Sequence, residues 1–322
     1  MPAPTRVASL LPSATEMVCA VGARKALVGV SHECDFPSDV VGLPVLTKTR
    51  KTFPQGSGAI DRAVREVLAE ALTVYEVEVD RLAEVDPQVI VTQALCDVCA
   101  VSLDDVQRAL DDLARNDVVI VNCEPTRLAD VWNDVRRVGV AVGHAEQGER
   151  VAGELAARCA AIGERAAAAD SRPSVLTVEW LDPIMVGGTW MPELVTLAGG
   201  EALVTSPGDH APTLDIDALA ALDPDVVLIK PCGYGLDKTA AELDLLGTKL
   251  PWKQWSAARD GRVFVADGNQ FFNRPGPRLV ESLEILAACV HPTLFPEFAE
   301  KHAPSFRRVA PDLALQAVSA GA

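Results

Sequence analysis

Two pairs of matching segments constrain the fold of this chain more than any other feature. Residues 82–91 and residues 219–228 each combine a helix end, an Asp-Pro dipeptide and an apolar strand, 137 positions apart. Residues 16–22 and 193–199 form a second matching pair, 177 positions apart. Because proline cannot continue a helix, each Asp-Pro separates a helix from the strand that follows. The pairs predict two related α/β halves, the first with about forty additional residues between its two segments.

Strand-like and helix-like segments alternate through both halves. Strands are predicted at residues 7–11, 27–30, 89–92 and 118–121, and again at residues 174–178, 226–230 and 263–266. Such alternation predicts parallel sheets covered by helices. The predicted domains are an N-terminal α/β lobe at residues 1–142, a long linking helix at residues 143–169 and a C-terminal α/β lobe at residues 170–322. The last part of the C-terminal lobe, from residue 302 onward, is predicted to be a tail along the surface.

Composition and charge exclude several classes of protein. At 322 residues with 49% hydrophobic residues, the chain is large and apolar enough for two ordinary domains with separate cores. Its formal charge of -16 opposes a phosphate backbone, and no cluster of Lys and Arg stands out, so no nucleic-acid binding is expected. No apolar run reaches the roughly 18 to 20 residues of a membrane span, so no membrane insertion is expected.

The start of the sequence bears on cellular location. Residues 1–5 lead directly into the first predicted strand, without the basic, apolar and small-residue regions of a signal peptide. The chain as written is therefore predicted to be cytoplasmic. A truncated start would instead make it periplasmic or attached to the cell surface.

The segment after the second predicted strand contains four consecutive side chains that bind metals or move protons: His32, Glu33, Cys34 and Asp35. Ligands bind at the carboxyl ends of strands in parallel sheets, so these four are predicted ligand-binding residues. The alternative is a polar turn stopped by Pro37.

The second half contains a larger group of predicted ligand-binding residues after its strands. Aromatic rings can cover a planar ligand, glycine permits close approach of the backbone, and amide or guanidinium groups can hold oxygen atoms. The alternative for the aromatic residues is ordinary packing. The group consists of Glu179, Trp180, Trp190, Gly233, Tyr234, Asn269, Phe271 and Arg274.

Eight cysteines in a chain of this length are too few for a disulfide scaffold. Cys96 and Cys99, spaced as CxxC, are consistent with a redox pair, half of a metal site, or simple packing. If Cys34 and Cys232 converge with them, the four thiolates would suit zinc or an iron–sulfur cluster. Phosphate-binding loops, nucleophile elbows and HExxH are absent, so the sequence leaves enzymatic activity open and favours a ligand-binding protein.

Several motifs together resemble a known family. They are residues 6–16, 31–35, 222–225, 267–269 and 272–278. Over about residues 5–295 the chain resembles the cobalamin-binding-like branch of the class III substrate-binding proteins of ABC importers. The resemblance implies two Rossmann-like lobes with parallel sheets, joined by a long helix, with a ligand cleft between them.

The same resemblance implies a function. The protein is expected to bind cobalamin or a related corrinoid or metal chelate in that cleft, with an ABC permease as partner. The alternative is a cytoplasmic metalloprotein that binds zinc or an iron–sulfur cluster through interlobe cysteines, with catalysis at an open position of the metal.

Overall fold

A computed structural model describes residues 5–69, 73–93, 101–249 and 252–318. The chain divides into two compact units, each treated separately below. Unit 1 contains Met1–Gln55 and Arg62–Ala156, and unit 2 contains Gly56–Asp61 and Ala157–Ala322. No helix in the described ranges has both the length and the apolar composition needed to cross a bilayer.

Unit 1 contains a four-stranded parallel sheet in the order β2-β1-β5-β6 and a separate antiparallel pair, β3-β4. The strands are β1 Val7–Ser9, β2 Leu27–Val30, β3 Thr47–Thr49, β4 Tyr75–Val77, β5 Val89–Gln93 and β6 Val119–Cys123. The helices are α1 Pro12–Ala20, α2 Ser57–Ala69, α3 Val79–Val85, α4 Leu103–Asp112, α5 Leu128–Ala141 and α6 Ala145–Ala166. Helices α2 and α6 contain residues of both units.

Unit 2 contains a sheet in the order β13-β12-β11-β10-β7-β8, with β9 also pairing with β7. Strands β7, β10 and β11 are parallel, whereas β8, β12 and β13 are antiparallel to their neighbours. The strands are β7 Ser174–Leu181, β8 Ile184–Val186, β9 Glu201–Ala202, β10 Val226–Ile229, β11 Val263–Ala266, β12 Phe306–Val309 and β13 Leu315–Gln316. The helices are α7 Met191–Leu197, α8 Ile216–Ala220, α9 Leu236–Ala240, α10 Leu243–Lys249, α11 Ser256–Arg259, α12 Leu279–Val290 and α13 Pro296–Lys301.

The structure gives the two Asp-Pro segments the same local geometry. Asp86 has a φ of 41° and Asp223 a φ of 40°, so both aspartates are in the left-handed region, Asp86 directly after α3 and Asp223 three residues after α8. Aspartate tolerates this conformation better than most residues. The strand after each Asp-Pro lies inside its sheet, since β5 pairs with β1 and β6, and β10 pairs with β7 and β11. The predicted α/β class with parallel sheets and helices is confirmed.

Each unit buries its own apolar cluster. In unit 1, residues of the central strands pack with Leu82, Val106 and Leu110 from α3 and α4. In unit 2, β7, β10 and β11 pack against Trp252 and Trp255. Helix α12 is mostly apolar and, apart from Glu281, all its residues are buried, including Ser282 and the Glu284 carboxylate, as expected for a helix enclosed by protein.

The prediction of a surface tail from residue 302 is wrong. Residues Phe306–Val309 form β12, which pairs antiparallel with β11, and Phe306 has no exposed surface. The short segment shows no clear alternation of apolar and polar residues. Its strand conformation depends on backbone hydrogen bonds to a strand about forty residues earlier, a tertiary effect that local sequence does not show.

Candidate functional site

His32 follows β2 and is fixed from one side by Thr47, the first residue of β3. The imidazole Nδ1 lies 2.7 Å from the Thr47 Oγ1, and the His32 backbone N–H donates to the same oxygen at 3.2 Å. The Thr47 hydroxyl in turn donates to Ser31 Oγ at 3.0 Å. The chain therefore holds the ring through a buried hydroxyl pair, while 24% of the His32 side-chain surface remains exposed.

Two further side chains contact the His32 ring. The Tyr75 ring lies 5.1 Å from it between centroids, tilted by 58°. The Glu33 Oε1 lies 3.4 Å from Nε2. Partial burial lowers the pKa of His32, although the Glu33 carboxylate and the hydrogen bond with Thr47 act in the opposite direction. The ring is therefore neutral near pH 7, with one nitrogen available as a lone-pair donor.

The neighbouring positions differ in exposure. The Cys34 thiol is buried, with Sγ 3.1 Å from Thr15 Oγ1, and Thr15 donates to Ser9 Oγ at 2.7 Å. Asp35 is exposed, and Phe36 is a large apolar residue with 43% of its surface exposed. The segment after β2 therefore presents an imidazole, carboxylates and an aromatic ring to solvent while Cys34 packs inward.

In unit 2, Lys230 organises the carboxyl ends of β7 and β10. It has no exposed surface, and its ammonium group donates to Glu179 Oε2 at 2.7 Å and to Asn273 Oδ1 at 2.8 Å. The Asn273 amide donates to the carbonyl oxygens of Lys230 and Gly268. A buried cation with two oxygen partners thus ties the end of the sheet to the loop after β11.

The predicted aromatic residues of this unit are largely buried. The Tyr234 hydroxyl donates to Glu242 Oε1 at 3.0 Å, and burial raises the pKa of Tyr234. The Trp180 ring meets the Tyr234 ring edge-on at 5.3 Å between centroids. Tyr234 is 1% exposed and Trp190 5% exposed, so each ring supports the surrounding loops through most of its surface. Contact of these rings with a ligand stays a prediction.

The loop after β11 is held by its own polar groups. The Asp267 carboxylate accepts from the backbone N–H groups of Asn269 and Gln270 at 3.0 and 2.9 Å. The Trp190 indole donates to the Phe272 carbonyl at 2.8 Å, and Arg274 Nη2 donates to Asn269 Oδ1 at 3.2 Å. This hydrogen bonding fixes the shape of the loop before any ligand arrives.

The aromatic ring at the tip of that loop is supported from two sides. The Phe271 ring lies 6.2 Å from the His302 ring and 5.5 Å from the Arg278 guanidinium carbon. His302 Nε2 lies 2.7 Å from Glu284 Oε2. A chain of contacts therefore leads from a buried carboxylate to the predicted ligand-binding residue Phe271.

The structure places the predicted site residues in two groups. The exposed His32, Glu33 and Asp35 lie together in unit 1 with Cys34 beneath them. The residues Glu179, Trp180, Trp190, Gly233, Tyr234, Asn269, Phe271 and Arg274 lie in unit 2 at or after the carboxyl ends of its strands, or at the start of α7. Their role as ligand contacts, and the predicted cleft between the lobes, stay predictions.

Sequence reasoning missed Thr47, Lys230, Asn273 and Glu242. Lys230 could have been found, because a lysine directly after an apolar strand must either reach water or find an anion. Thr47 could not, since its hydroxyl is joined to His32 only by the pairing of distant segments.

The four predicted metal-binding cysteines receive no support. Cys96 and Cys99 lie outside the described residues, while Cys34 is buried and Cys232 partly exposed. Within the described ranges, no group of three His, Cys, Asp or Glu side chains is arranged to hold a metal ion. The zinc or iron–sulfur alternative is therefore not favoured by the described part of the chain.

The fold and these post-strand loops define the class of α/β ligand-binding proteins. Comparison with known families then identifies the family itself: residues 7–269 match the profile described as periplasmic binding protein, and the chain belongs to that family. The resemblance seen in the sequence motifs, to the class III substrate-binding proteins of ABC importers, is confirmed.

Individual relatives are distant but extend over most of the chain. A vitamin B12-binding protein of Photorhabdus laumondii is 22% identical over 285 residues, covering 88% of this chain and 87% of the relative. An uncharacterized ABC transporter substrate-binding lipoprotein of Bacillus subtilis, YvrC, is 23% identical, covering 91% of this chain and 82% of the relative. The crystal structure of a periplasmic heme binding protein from Pseudomonas aeruginosa has a TM-score of 0.68 and 22% identity, covering 98% of both chains.

These findings bear on location. The family is described as periplasmic, and YvrC is described as a lipoprotein. The predicted cytoplasmic location is not supported.

Proposed function

We propose that this protein is an exported substrate-binding protein that captures cobalamin or a related corrinoid and delivers it to an ABC permease. One observation carries the proposal: the family match extends over residues 7–269, and a relative aligned along 88% of the chain is a vitamin B12-binding protein. The match to an ABC transporter substrate-binding lipoprotein supports the permease partner. The same relatives support a periplasmic or surface location.

Heme is the second candidate ligand. The heme binding protein of Pseudomonas aeruginosa shares the fold along 98% of both chains. Corrinoids and heme are both broad, flat metal chelates, and they differ in their edges: a corrinoid carries amides and a heme carries carboxylates. The partly exposed imidazole of His32 and the exposed ring of Phe36 suit the metal and the apolar face that both ligands share.

Calorimetric titration tests the proposal. The full chain is titrated with aquocobalamin, diaquocobinamide and hemin, and we expect at least one to bind with a Kd of about 1 µM or tighter. Cobalt(II) and zinc(II) chloride serve as controls, because a chelate-binding protein recognises the macrocycle as well as the metal.

Two results would contradict the proposal. One is the absence of heat with all three chelates while circular dichroism shows folded protein. The other is tight binding of the bare zinc salt without binding of any chelate, which would return attention to the cysteines.

A further inference from the structure

We infer that helix α2, Ser57–Ala69, is a strap fastened to unit 2 by the Glu242 carboxylate, and that a chelate bound beside Trp180 and Tyr234 tightens the fastening. The coupling to a chelate rests on the proposed function. The fastening does not, since it can be measured on the protein without a ligand.

Helix α2 lies in the stretch that makes the first half of the chain longer than the second. That stretch, between residues 22 and 82, exceeds its counterpart by about forty residues. Little of the helix is buried: among its thirteen residues, all of which the structure describes, only Ser57 and Val67 are buried. Segments with few buried residues open locally at low cost in free energy, and a helix of this length is marginal in water on its own. The contacts of Ser57 therefore contribute a large share of what holds α2 in place.

One carboxylate fastens the first turn of this helix. Glu242 Oε2 accepts hydrogen bonds from the backbone N–H of Ser57 at 2.9 Å and from the Ser57 hydroxyl at 2.5 Å. Ser57 is the first residue of α2, and its N–H is one of the donors that a helix leaves without an internal partner. A carboxylate at this end also interacts favourably with the helix dipole. Ser57 and Glu242 both belong to unit 2, so the fastening is a property of that unit.

A second contact holds the same turn against the residue that follows β7. A Cβ on Gly58 would lie 2.3 Å from Asp182 Oδ2, so the observed approach requires glycine. Asp182 is held in turn by its ion pair with Lys249, and its carbonyl oxygen accepts from the Trp180 indole at 3.1 Å. The first turn of α2 therefore rests on a side chain that is itself fixed in position.

Glu242 also joins this turn to two predicted ligand-binding residues. Its second oxygen, Oε1, accepts from the Tyr234 hydroxyl at 3.0 Å. The Tyr234 ring is 1% exposed and meets the ring of the half-buried Trp180 edge-on, at 5.3 Å between centroids. On Tyr234, the Lys238 ammonium group lies 3.7 Å from the ring centre. A ligand packed on Trp180 therefore restrains Tyr234, and Tyr234 restrains Glu242.

These contacts determine the direction of the coupling. A broad apolar ligand against Trp180 excludes water near Glu242, and hydrogen bonds to a carboxylate strengthen as the local dielectric constant falls. The same ligand removes motion from the two rings, so fastening α2 then costs less additional conformational entropy. Because coupling between two sites is reciprocal, a fastened strap also raises the affinity for the chelate.

Amide hydrogen exchange of residues 57–69, measured by mass spectrometry on the full chain, tests the fastening. Without ligand, Glu242→Ala should speed exchange of this segment about tenfold or more, because hydrogen bonds to a charged group are the stronger kind. Glu242→Gln keeps an acceptor without the charge and should lie between wild type and the alanine variant. Asp244→Asn removes an exposed carboxylate two positions later and should exchange as wild type does.

Gly58→Ala releases the same turn without altering Glu242. Alanine stabilises an isolated helix relative to glycine, so faster exchange in this variant reflects the clash with Asp182 and not a weaker helix. We expect faster exchange of residues 57–69 here as well. In every variant, exchange in β7 and β10 should stay at the wild-type rate, which separates local release from general unfolding.

Aquocobalamin and hemin test the coupling. Whichever of the two binds should slow exchange of residues 57–69 in wild type by about fivefold or more, the lower end of the range for coupled sites. Tyr234→Phe keeps the ring and removes the hydroxyl, so the same chelate should then slow exchange less than about twofold. Glu242→Ala should weaken binding of that chelate, by up to the factor measured in wild type.

The fastening, the coupling and the proposed function fail in distinguishable ways. If Glu242→Ala and Gly58→Ala both leave exchange of residues 57–69 at the wild-type rate, the fastening is wrong. If a chelate binds wild type without changing that exchange, or slows it equally in Tyr234→Phe, the coupling is wrong and the binding function stands. If neither a corrinoid nor hemin binds the folded wild-type chain, the proposed function is wrong and the coupling with it, while the ligand-free comparison still decides the fastening.

Discussion

The ammonium group of Lys230, a side chain with no exposed surface, lies 2.7 Å from the Glu179 carboxylate. Glu179 retains about a quarter of its side-chain surface in contact with solvent. The pair therefore joins the interior of unit 2 to a predicted ligand-binding residue, and Asn273 completes it from the loop after β11. Stability of the unit and the shape of the candidate site consequently depend on the same cation.

Replacing Lys230 with Met should destabilise unit 2. The substitution leaves the oxygens of Glu179 and Asn273 without their donor, and removing one partner of a buried ion pair costs about 3 kcal/mol. Urea denaturation followed by circular dichroism measures the change. Lys249→Met is the matched control, since Lys249 pairs with Asp182 while a third of each side chain is exposed, and it should cost about 1 kcal/mol or less. Equal effects of the two substitutions would contradict the importance assigned to Lys230.

Glu284 should make the protein sensitive to acid. Burial raises the pKa of Glu284, but hydrogen bonds from His302, Lys301 and Arg158 outweigh it and lower the pKa from 4.5 to about 2. A depressed pKa contributes stability that is complete above the unfolded value and is lost as pH falls through the folded value. The contribution, of about 3 kcal/mol, should therefore disappear between about pH 5 and pH 2.

The free energy of unfolding measured against pH for wild type and Glu284→Gln checks this expectation. The glutamine variant should be less stable than wild type at pH 6, and the two should converge toward pH 2. Glu281→Gln, which alters a weaker contact with Arg158 at 3.5 Å, should follow the wild-type curve. A constant difference between wild type and Glu284→Gln across this range would show that the carboxylate is not responsible.

Gly268 should not tolerate a side chain. A Cβ there would lie 2.1 Å from the Pro231 carbonyl oxygen and 2.7 Å from that of Lys230, so Gly268→Ala must displace the loop after β11. We expect a loss of about 1–3 kcal/mol in stability, as for other overpacked sites. Gly153→Ala, in α6 with no atom within 4 Å of the added Cβ, should be neutral or stabilise the helix by up to about 1 kcal/mol. Thermal unfolding of the two variants measures the difference. If Gly268→Ala is as stable as wild type, the loop after β11 can move to accommodate the added Cβ, and the expectation is wrong.

The buried thiols should resist alkylation in the native protein. Burial raises the pKa of Cys159 to about 12, so this thiol remains protonated at pH 8. Since the thiolate is the reactive form, iodoacetamide at pH 8 should modify Cys159 and the fully buried Cys289 only after denaturation. Peptide mapping by mass spectrometry would show this, with Cys232 as the partly exposed internal reference. Rapid native labelling of Cys289 would contradict the packing described for α12.

The sequence predicted those helices and strands whose ends are determined by residues close to them in the chain. The Asp-Pro pairs located the ends of α3 and α8 and the central strands β5 and β10, because proline acts on its immediate neighbours. Helix α6, Ala145–Ala166, lies within residues 143–169, which were predicted as a long helix. The short strands β3, β4 and β12 escaped detection, because they lack a clear apolar pattern of their own and are stabilised by pairing with distant strands.

The candidate site residues were likewise predictable from the sequence only in part. The strand ends and their polar residues were visible in sequence, since ligand loops follow strands in parallel sheets. The hydrogen bond between His32 and Thr47 joins residues fifteen positions apart, and that between Lys230 and Asn273 joins residues forty-three apart. The hydrogen-bond partners of the site residues could therefore be identified only from the folded structure.

The pairing of β12 with β11 has a practical consequence for anyone who shortens or tags this protein. Deleting the chain from residue 305 onward would remove β12, the outer neighbour of β11. The backbone amide and carbonyl groups along that edge of β11 would then lack hydrogen-bond partners. Such an edge recruits strands from other molecules, so the shortened protein should precipitate where the full chain remains dispersed.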